Sequence, residues 1–211
     1  MSTPAAKPMG AIVADGLWRD NAVFRQVLGI CSALAVTNLL VNTAVMCVAL
    51  TFTVALSSAT VSTLRLFTPR RIRMMVQVLI IAFYVIIVDQ FLKAYWPDMS
   101  RSLGPYVGLI ITNCIIMGRA EAFANTNKVV PSFVDGLFSG FGYSVVLLSI
   151  AFFRELLGMG TLFGYPVPYF STPYWDSWVI MVMPPGAFFT LACVVWFFRS
   201  RQSIRQEAPK K

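Results

Sequence analysis

From Gln26 to Leu64 the chain carries no charged residue, a run of 39 positions, and nothing else in the sequence constrains the fold as tightly. As one helix the run would measure about 58 Å, roughly twice the hydrocarbon thickness of a bilayer. It must therefore turn back. The weakest place is Thr37–Thr43, where Asn38 and Asn42 interrupt the Leu/Val pattern. A bend there leaves a full-length helix over about Val41–Leu64. Before it lies a segment of only about 13 residues, some 20 Å long and too short to cross alone. Ala33-Leu34-Ala35 imitates a signal-peptide cleavage site, but the apolar stretch runs on past it and argues against removal.

Arg65, Arg70, Arg71 and Arg73 then form a dense basic loop, with Pro69 among them. Met74–Trp96 is the next predicted span, closed by Tyr95 and Trp96 as interfacial anchors. Gly104–Gly118 is again short and ends at Arg119 and Glu121. Val129–Phe153 follows, rich in glycine, and Arg154-Glu155 reads as its interface marker. Gly158–Trp175 is uncharged but crowded with Gly, Pro and Tyr, which suits an external interfacial loop. Trp178–Phe198 is the last helix, entered near Pro184-Pro185-Gly186.

These spans define a polar lead at residues 1–25, one membrane domain at 26–198 and a basic tail at 199–211. Only 12% of the residues are charged, about half the share in ordinary soluble domains. The net charge of +8 is not a nucleic-acid signature, because the positive residues lie between apolar runs, as in loops facing anionic lipid. The Arg65–Arg73 loop and the tail are thereby both cytoplasmic, and parity places the N-terminus inside as well. The fold class is all-α, an integral membrane protein of six segments.

Six segments divide into two sets of three, about 26–100 and 101–198, and each set opens on its short or broken member. An odd number per set reverses the second, making the sets inverted repeats. Paired short, glycine-interrupted segments are the best sequence pointer to a site near the bilayer midplane. Each contains one cysteine, in Gly29-Ile30-Cys31-Ser32-Ala33 and in Thr112-Asn113-Cys114-Ile115-Ile116. Pseudo-twofold symmetry would bring the two thiols towards each other.

The chain has no histidine, so a metal would have to be held by cysteine or oxygen. Irregular backbone at membrane depth exposes N–H groups that suit an anionic ligand, and a thiolate-ligated iron centre is one. Iron–sulfur clusters need about four thiolates, and Cys31 with Cys114 supplies two. Either Cys47 and Cys193 complete the set or another subunit does. Neither of those cysteines has broken backbone around it, which makes a partner with its own pair the more economical source. The plain alternative is that all four cysteines pack as small apolar side chains.

At these residues the sequence resembles the NqrD/RnfE family of membrane subunits. Gly29–Thr37 (GICSALAVT) and Leu109–Ala124 (LIITNCIIMGRAEAFA) look like its two signature stretches. Val88–Tyr95, Phe153–Gly158 and Pro185–Phe189 add support, and the likeness spans about residues 20–200. The wording Cys-Ser-Ala-Leu-Ala and Val-Asp-Gln-Phe-Leu-Lys-Ala-Tyr is closer to the branch found in sodium-translocating NADH:quinone oxidoreductases than to the RNF-complex branch. The resemblance implies a subunit of the bacterial inner membrane that pairs with a homologous sister of opposite topology. It implies that Cys31 and Cys114 hold, with two cysteines of the sister, an intramembrane [2Fe–2S] centre, a single iron being the alternative. Electrons would pass from the NADH-oxidising subunit through that centre to a covalent FMN on another subunit, coupled to Na⁺ transport. The chain itself has no nucleotide loop or dinucleotide fingerprint, so NADH and flavin are expected to bind elsewhere.

Among the remaining candidates, Asp89 stands four residues before Lys93 and reads either as half of an interfacial ion pair or as an ion-path carboxylate. Asp135 has no obvious local partner and is the better ion-path candidate. Arg119 and Glu121 are expected to form a structural pair that anchors the end of the broken segment, the alternative being that their charge shapes the centre's potential. Gly136, Gly140 and Gly142 suit a close helix approach, and so does the small-residue face of the second helix at Ala55, Ser58, Ala59 and Ser62. The rival class is a non-redox transporter or channel subunit whose broken helices bind a small anion or Na⁺.

Overall fold

The computed structural model describes residues 28–69, 71–163, 165–166 and 178–207. The expected lead, the start of the first segment, most of the Gly158–Trp175 loop and the end of the tail lie outside those residues. Helix α1 (Ile30–Val36) is short and is followed at once by α2 (Leu40–Leu64). The predicted bend is there, and a side chain finishes it. Thr43 Oγ1 lies 3.0 Å from the Val36 carbonyl, an acceptor that the end of α1 leaves open, and 2.8 Å from that of Leu39, which precedes α2.

Helix α3 (Arg73–Tyr95) closes the first half. Next come α4 (Pro97–Ile111) and α5 (Cys114–Arg119), which runs into a π-helical turn at Ala120–Ala124. Helix α6 (Val129–Gly158) leads to a two-residue antiparallel ladder, β1 (Thr161–Leu162) on β2 (Tyr165–Pro166), with Thr161 opposite Pro166. Helices α7 (Val179–Val182) and α8 (Pro184–Glu207) end the described chain. Among the described residues, four helical paths are long and apolar enough to cross a bilayer: Leu40–Leu64, Arg73–Tyr95, Pro97–Ala124 and Val129–Gly158.

Two expectations change. The fourth segment is broken rather than short, because its helix begins at Pro97 instead of Gly104 and continues past Gly118 to Ala124. Proline at the first helical turn with Asp98 beside it favours initiation; the polar residues after Trp96 start the helix instead of delaying it. The fifth segment begins at Val129 as expected but extends to Gly158. Arg154 and Glu155, near its end, are 2% and 1% exposed and so face the protein interior.

The centre of the fold is the antiparallel pair α2 and α6. Cys47 meets Ser144, Thr51 meets Gly140 and Ala55 meets Gly136. A Cβ on Gly140 would lie 3.0 Å from Thr51 Cα, and one on Gly136 would lie 3.1 Å from Ala55 Cα. Glycine and small residues let these backbones approach as predicted, and a larger side chain would force them apart. Leu50, Val54, Leu147 and Ile150 fill the interior around the crossing. Helix α3 is peripheral, with Leu79, Phe83, Ile86 and Phe91 exposed, as befits a lipid-facing surface.

Candidate metal centre

Each cysteine of the predicted pair lies in the first turn of a helix that opens on irregular backbone, and the two openings, the breaks, are built differently. Before Cys31, Gly29 takes a left-handed backbone conformation with φ of 85°. A Cβ there would stand 2.6 Å from Ile115 Cδ1 and 2.8 Å from the Tyr143 ring and hydroxyl. Only glycine meets both the torsion and the space. Before Cys114, Asn113 stays in an ordinary extended conformation and caps α5 instead, its Oδ1 accepting the Ile115 N–H at 3.1 Å.

One hydrogen-bond chain joins the breaks. Asn113 Nδ2 donates to Ser32 Oγ at 3.2 Å. Ser32 shares a short hydrogen bond with the Tyr143 hydroxyl, which donates to the Gly29 carbonyl at 2.8 Å. Ser32, Asn113 and Tyr143 are all buried, so each polar atom depends on the others for satisfaction. On its other side the Gly29 N–H points at Cys114 Sγ, 3.1 Å away. The backbone of one break thus donates to the sulfur of the other.

Cys31 is the second residue of α1 and Cys114 the first of α5. The two are brought near each other, since the Gly29 N–H that reaches Cys114 Sγ lies two residues before Cys31. Cys31 is exposed and Cys114 half-buried, while Cys47 is buried in the α2–α6 contact and Cys193 sits on α8. Among the described residues no group of three or more His, Cys, Asp or Glu gathers. The donor set is therefore two sulfurs on an open face with an N–H directed at one of them. That is the chemistry of half a thiolate-ligated iron centre, and the residues fit such a group provided other sulfurs come from outside.

The charged candidates fall elsewhere. Lys93 Nζ lies 2.6 Å from Asp89 Oδ2, the ion pair of the first of its two readings. Asp135 does have a partner. It takes a bidentate ion pair from Arg119, with Nε donating to Oδ2 at 3.0 Å and Nη2 to Oδ1. Glu121 consequently does not serve Arg119. It bonds Arg73 at 2.7 Å, Gln77 Nε2 at 2.9 Å and Asn125 Nδ2 at 2.7 Å. Side chains two apart on a helix do not face each other; Arg119 turns to α6 and Glu121 to α3.

Arg154 and Glu155 tie helix ends together. Arg154 donates to Thr37 Oγ1 at 2.5 Å and to the Met181 and Val182 carbonyls at 3.1 and 2.9 Å. Glu155 Oε2 accepts the Leu40 N–H at 2.6 Å, a carboxylate at the start of α2 where the helix dipole favours it. The pattern along the chain does not reveal these roles, nor those of Ser32, Asn113 and Tyr143. The one available signal was adjacency, since Ser32 and Asn113 each neighbour a candidate cysteine.

Comparison with known proteins covers nearly the whole chain. A family model described as "Rnf-Nqr subunit, membrane protein" matches residues 9–195. The chain is 46% identical over 203 residues to a Na(+)-translocating NADH-quinone reductase subunit of Psychromonas ingrahamii, spanning 95% of this chain and 96% of that protein. It is 44% identical over 204 residues to the protein of the same name from Pseudoalteromonas translucida, spanning 96% and 97%.

Proposed function

This chain belongs to the Rnf-Nqr family of membrane subunits, and on that premise we propose that it is the NqrD-type subunit of a sodium-translocating NADH-quinone reductase, in which Cys31 and Cys114 supply two of the four ligands to an intramembrane iron–sulfur centre. The names of both relatives favour the NADH-quinone reductase branch over the RNF branch. A homologous sister subunit would supply the other two sulfurs. Bound there, a [2Fe–2S] group supplies one-electron transfer in the membrane interior, between an NADH-oxidising subunit and a covalent FMN on another. A single iron is the alternative occupant.

One observation carries the reading: two cysteines from opposite halves stand in the first turns of two helices whose irregular starts adjoin, with the Gly29 N–H directed at Cys114 Sγ. A buried apolar role would need no irregular backbone, which is costly at membrane depth unless it serves a site. Gly29 and Asn113 place the sulfurs, and the Ser32–Tyr143 link fixes the spacing between them. The exposure of Cys31 leaves a face for the sister subunit.

The inverted-repeat arrangement is part of the same proposal, and two relations support it. Arg65 follows the first residue of α2 by 25 positions, and Arg154 follows the first residue of α6 by the same number. Each reaches the turn behind the short helix of the opposite half, Arg65 at the Asn127 carbonyl (2.8 Å) and Arg154 at Thr37. The basic loop and tail support a topology with both termini on the cytoplasmic side, the membrane being a bacterial inner membrane in this reading. As ion-path carboxylates, Asp89 and Asp135 already hold Lys93 and Arg119, so an entering Na⁺ would have to displace that cation.

The test is electron delivery in the assembled complex. Cys31→Ser and Cys114→Ser should each abolish reduction of the downstream FMN by NADH while leaving the NADH-oxidising subunit active with a soluble acceptor. If FMN were reduced at the wild-type rate in both variants, the redox role would be wrong and the transporter reading would take its place.

A further inference from the structure

The outward face of α4 differs from those of α2, α3, α6 and α8 in what it shows the membrane. Each of those four helices exposes bulky apolar side chains, among them Val48, Leu79, Phe141 and Trp196, a surface suited to acyl chains. Among the described residues, the stretch from Pro97 to Lys128 exposes no large apolar side chain. Yet Pro97–Ala124 is long and apolar enough to span a bilayer. Its exposed positions are small or polar. Arg101, Gly104, Pro105, Gly108 and Thr112 recur at steps of three and four, so they line one face of α4.

The two glycines of this face answer to nothing in their own chain. A Cβ on Gly104 or Gly108 would meet no atom within 4 Å, whereas one on Gly136 or Gly140 would press on α2. Glycine weakens a helix relative to alanine, so the small size at Gly104 and Gly108 serves a contact beyond this chain. Small residues four apart let a second helix approach closely inside a membrane. The position of the face then selects its occupant. It runs down α4 to Thr112, two residues before Cys114, and α1 with the exposed Cys31 packs beside α4. The centre proposed above takes two sulfurs from outside this chain, and the subunit that brings them must come to this opening. A second copy of this chain on the same face would set Arg101 against Arg101 across a twofold axis, an unfavourable pairing of like charges.

Resting on that proposed function, we infer that the Gly104–Gly108–Thr112 face of α4 seats a membrane-spanning helix of the sister subunit that carries the other two sulfurs. The glycines set how closely that helix lies. Through Thr112 the contact is continuous with the iron–sulfur site, so the same docking that covers α4 also completes the ligand set.

The test is photo-crosslinking in the purified complex, with benzoylphenylalanine in place of Ser102, which is exposed at the edge of this face. The crosslinked partner, identified by mass, should be the homologous two-cysteine subunit. Gly108→Leu should lower the share of that subunit retained through purification about tenfold, and Gly108→Ala should lower it less. Nothing in this chain crowds Gly108, so the variant still folds and the loss reads the contact between subunits. A crosslink to lipid, to a second copy or to a different subunit, no crosslink to the sister, or its full retention in Gly108→Leu would each overturn the proposal. The crosslink reads contact alone. If FMN were still reduced in Cys31→Ser while the sister crosslinked, the redox role would fall and this interface would stand; loss of iron in Cys31→Ser without that crosslink would do the reverse.

Discussion

The break before Cys31 and the break before Cys114 do the same job by different means. The first rests on a backbone conformation that only Gly29 can hold, in a space already filled by Ile115 and Tyr143. The second rests on a side chain, since Asn113 has ordinary torsions and works through its amide. A break built on backbone geometry tolerates no substitution, whereas one built on hydrogen bonds should yield in steps. The pair therefore predicts an asymmetric response to mutation on either side of a nearly symmetric centre.

Gly29→Ala is the severest way to break the comparison. It sets a strained torsion against a contact 2.6 Å from Ile115, and strain with overpacking together cost about 2–6 kcal/mol. Thermal unfolding of the complex should drop sharply and bound iron should be lost. Asn113→Ala comes next. It removes a cap and the bond to Ser32, for about 1–2 kcal/mol, and Asn113→Asp should recover the part due to the Ile115 N–H alone. Near-equal losses for Gly29→Ala and Asn113→Ala would erase the distinction between the two breaks.

Tyr143→Phe sharpens the comparison without destroying it. The ring still packs on Gly29, but Ser32 and the Gly29 carbonyl lose the hydroxyl, a change of about 1 kcal/mol. The complex should assemble. The loosened Gly29 N–H should donate more weakly to Cys114 Sγ, and a weaker N–H···S bond lowers the reduction potential of the centre. Redox titration checks that shift. Asp89→Asn should have the smallest effect, because the partly exposed pair with Lys93 is worth at most about 0.5 kcal/mol. A large loss of Na⁺-dependent turnover in that variant would instead make Asp89 part of the ion path.

Local signals made half of this legible. The charge-free run forced a bend, the asparagines placed it, and α2 begins one residue from where the pattern put it. The cysteines stood out because one follows Gly29 by two residues and the other adjoins Asn113, in apolar stretches that read as short. The start of the fourth segment was missed because Pro97 and Asp98 look like a loop until a helix is seen to begin on them. The ion pairs were missed for another reason. Arg119 and Asp135 are joined across two helices, as are Glu121 and Arg73, and spacing along one helix carries no information about either. Arg154 and Glu155 resemble a boundary pair in sequence because nothing local reveals that Thr37, Leu40 and the end of α7 need them.

Two sulfurs forming half of a shared iron site are the central claim. Iron and acid-labile sulfide analysis with EPR, on the complex purified without oxygen, tests it most directly. Cys31→Ser and Cys114→Ser should each remove the same iron–sulfur signal and the same share of iron and sulfide from an otherwise intact complex. Full iron and sulfide with an unaltered spectrum in both variants would contradict it.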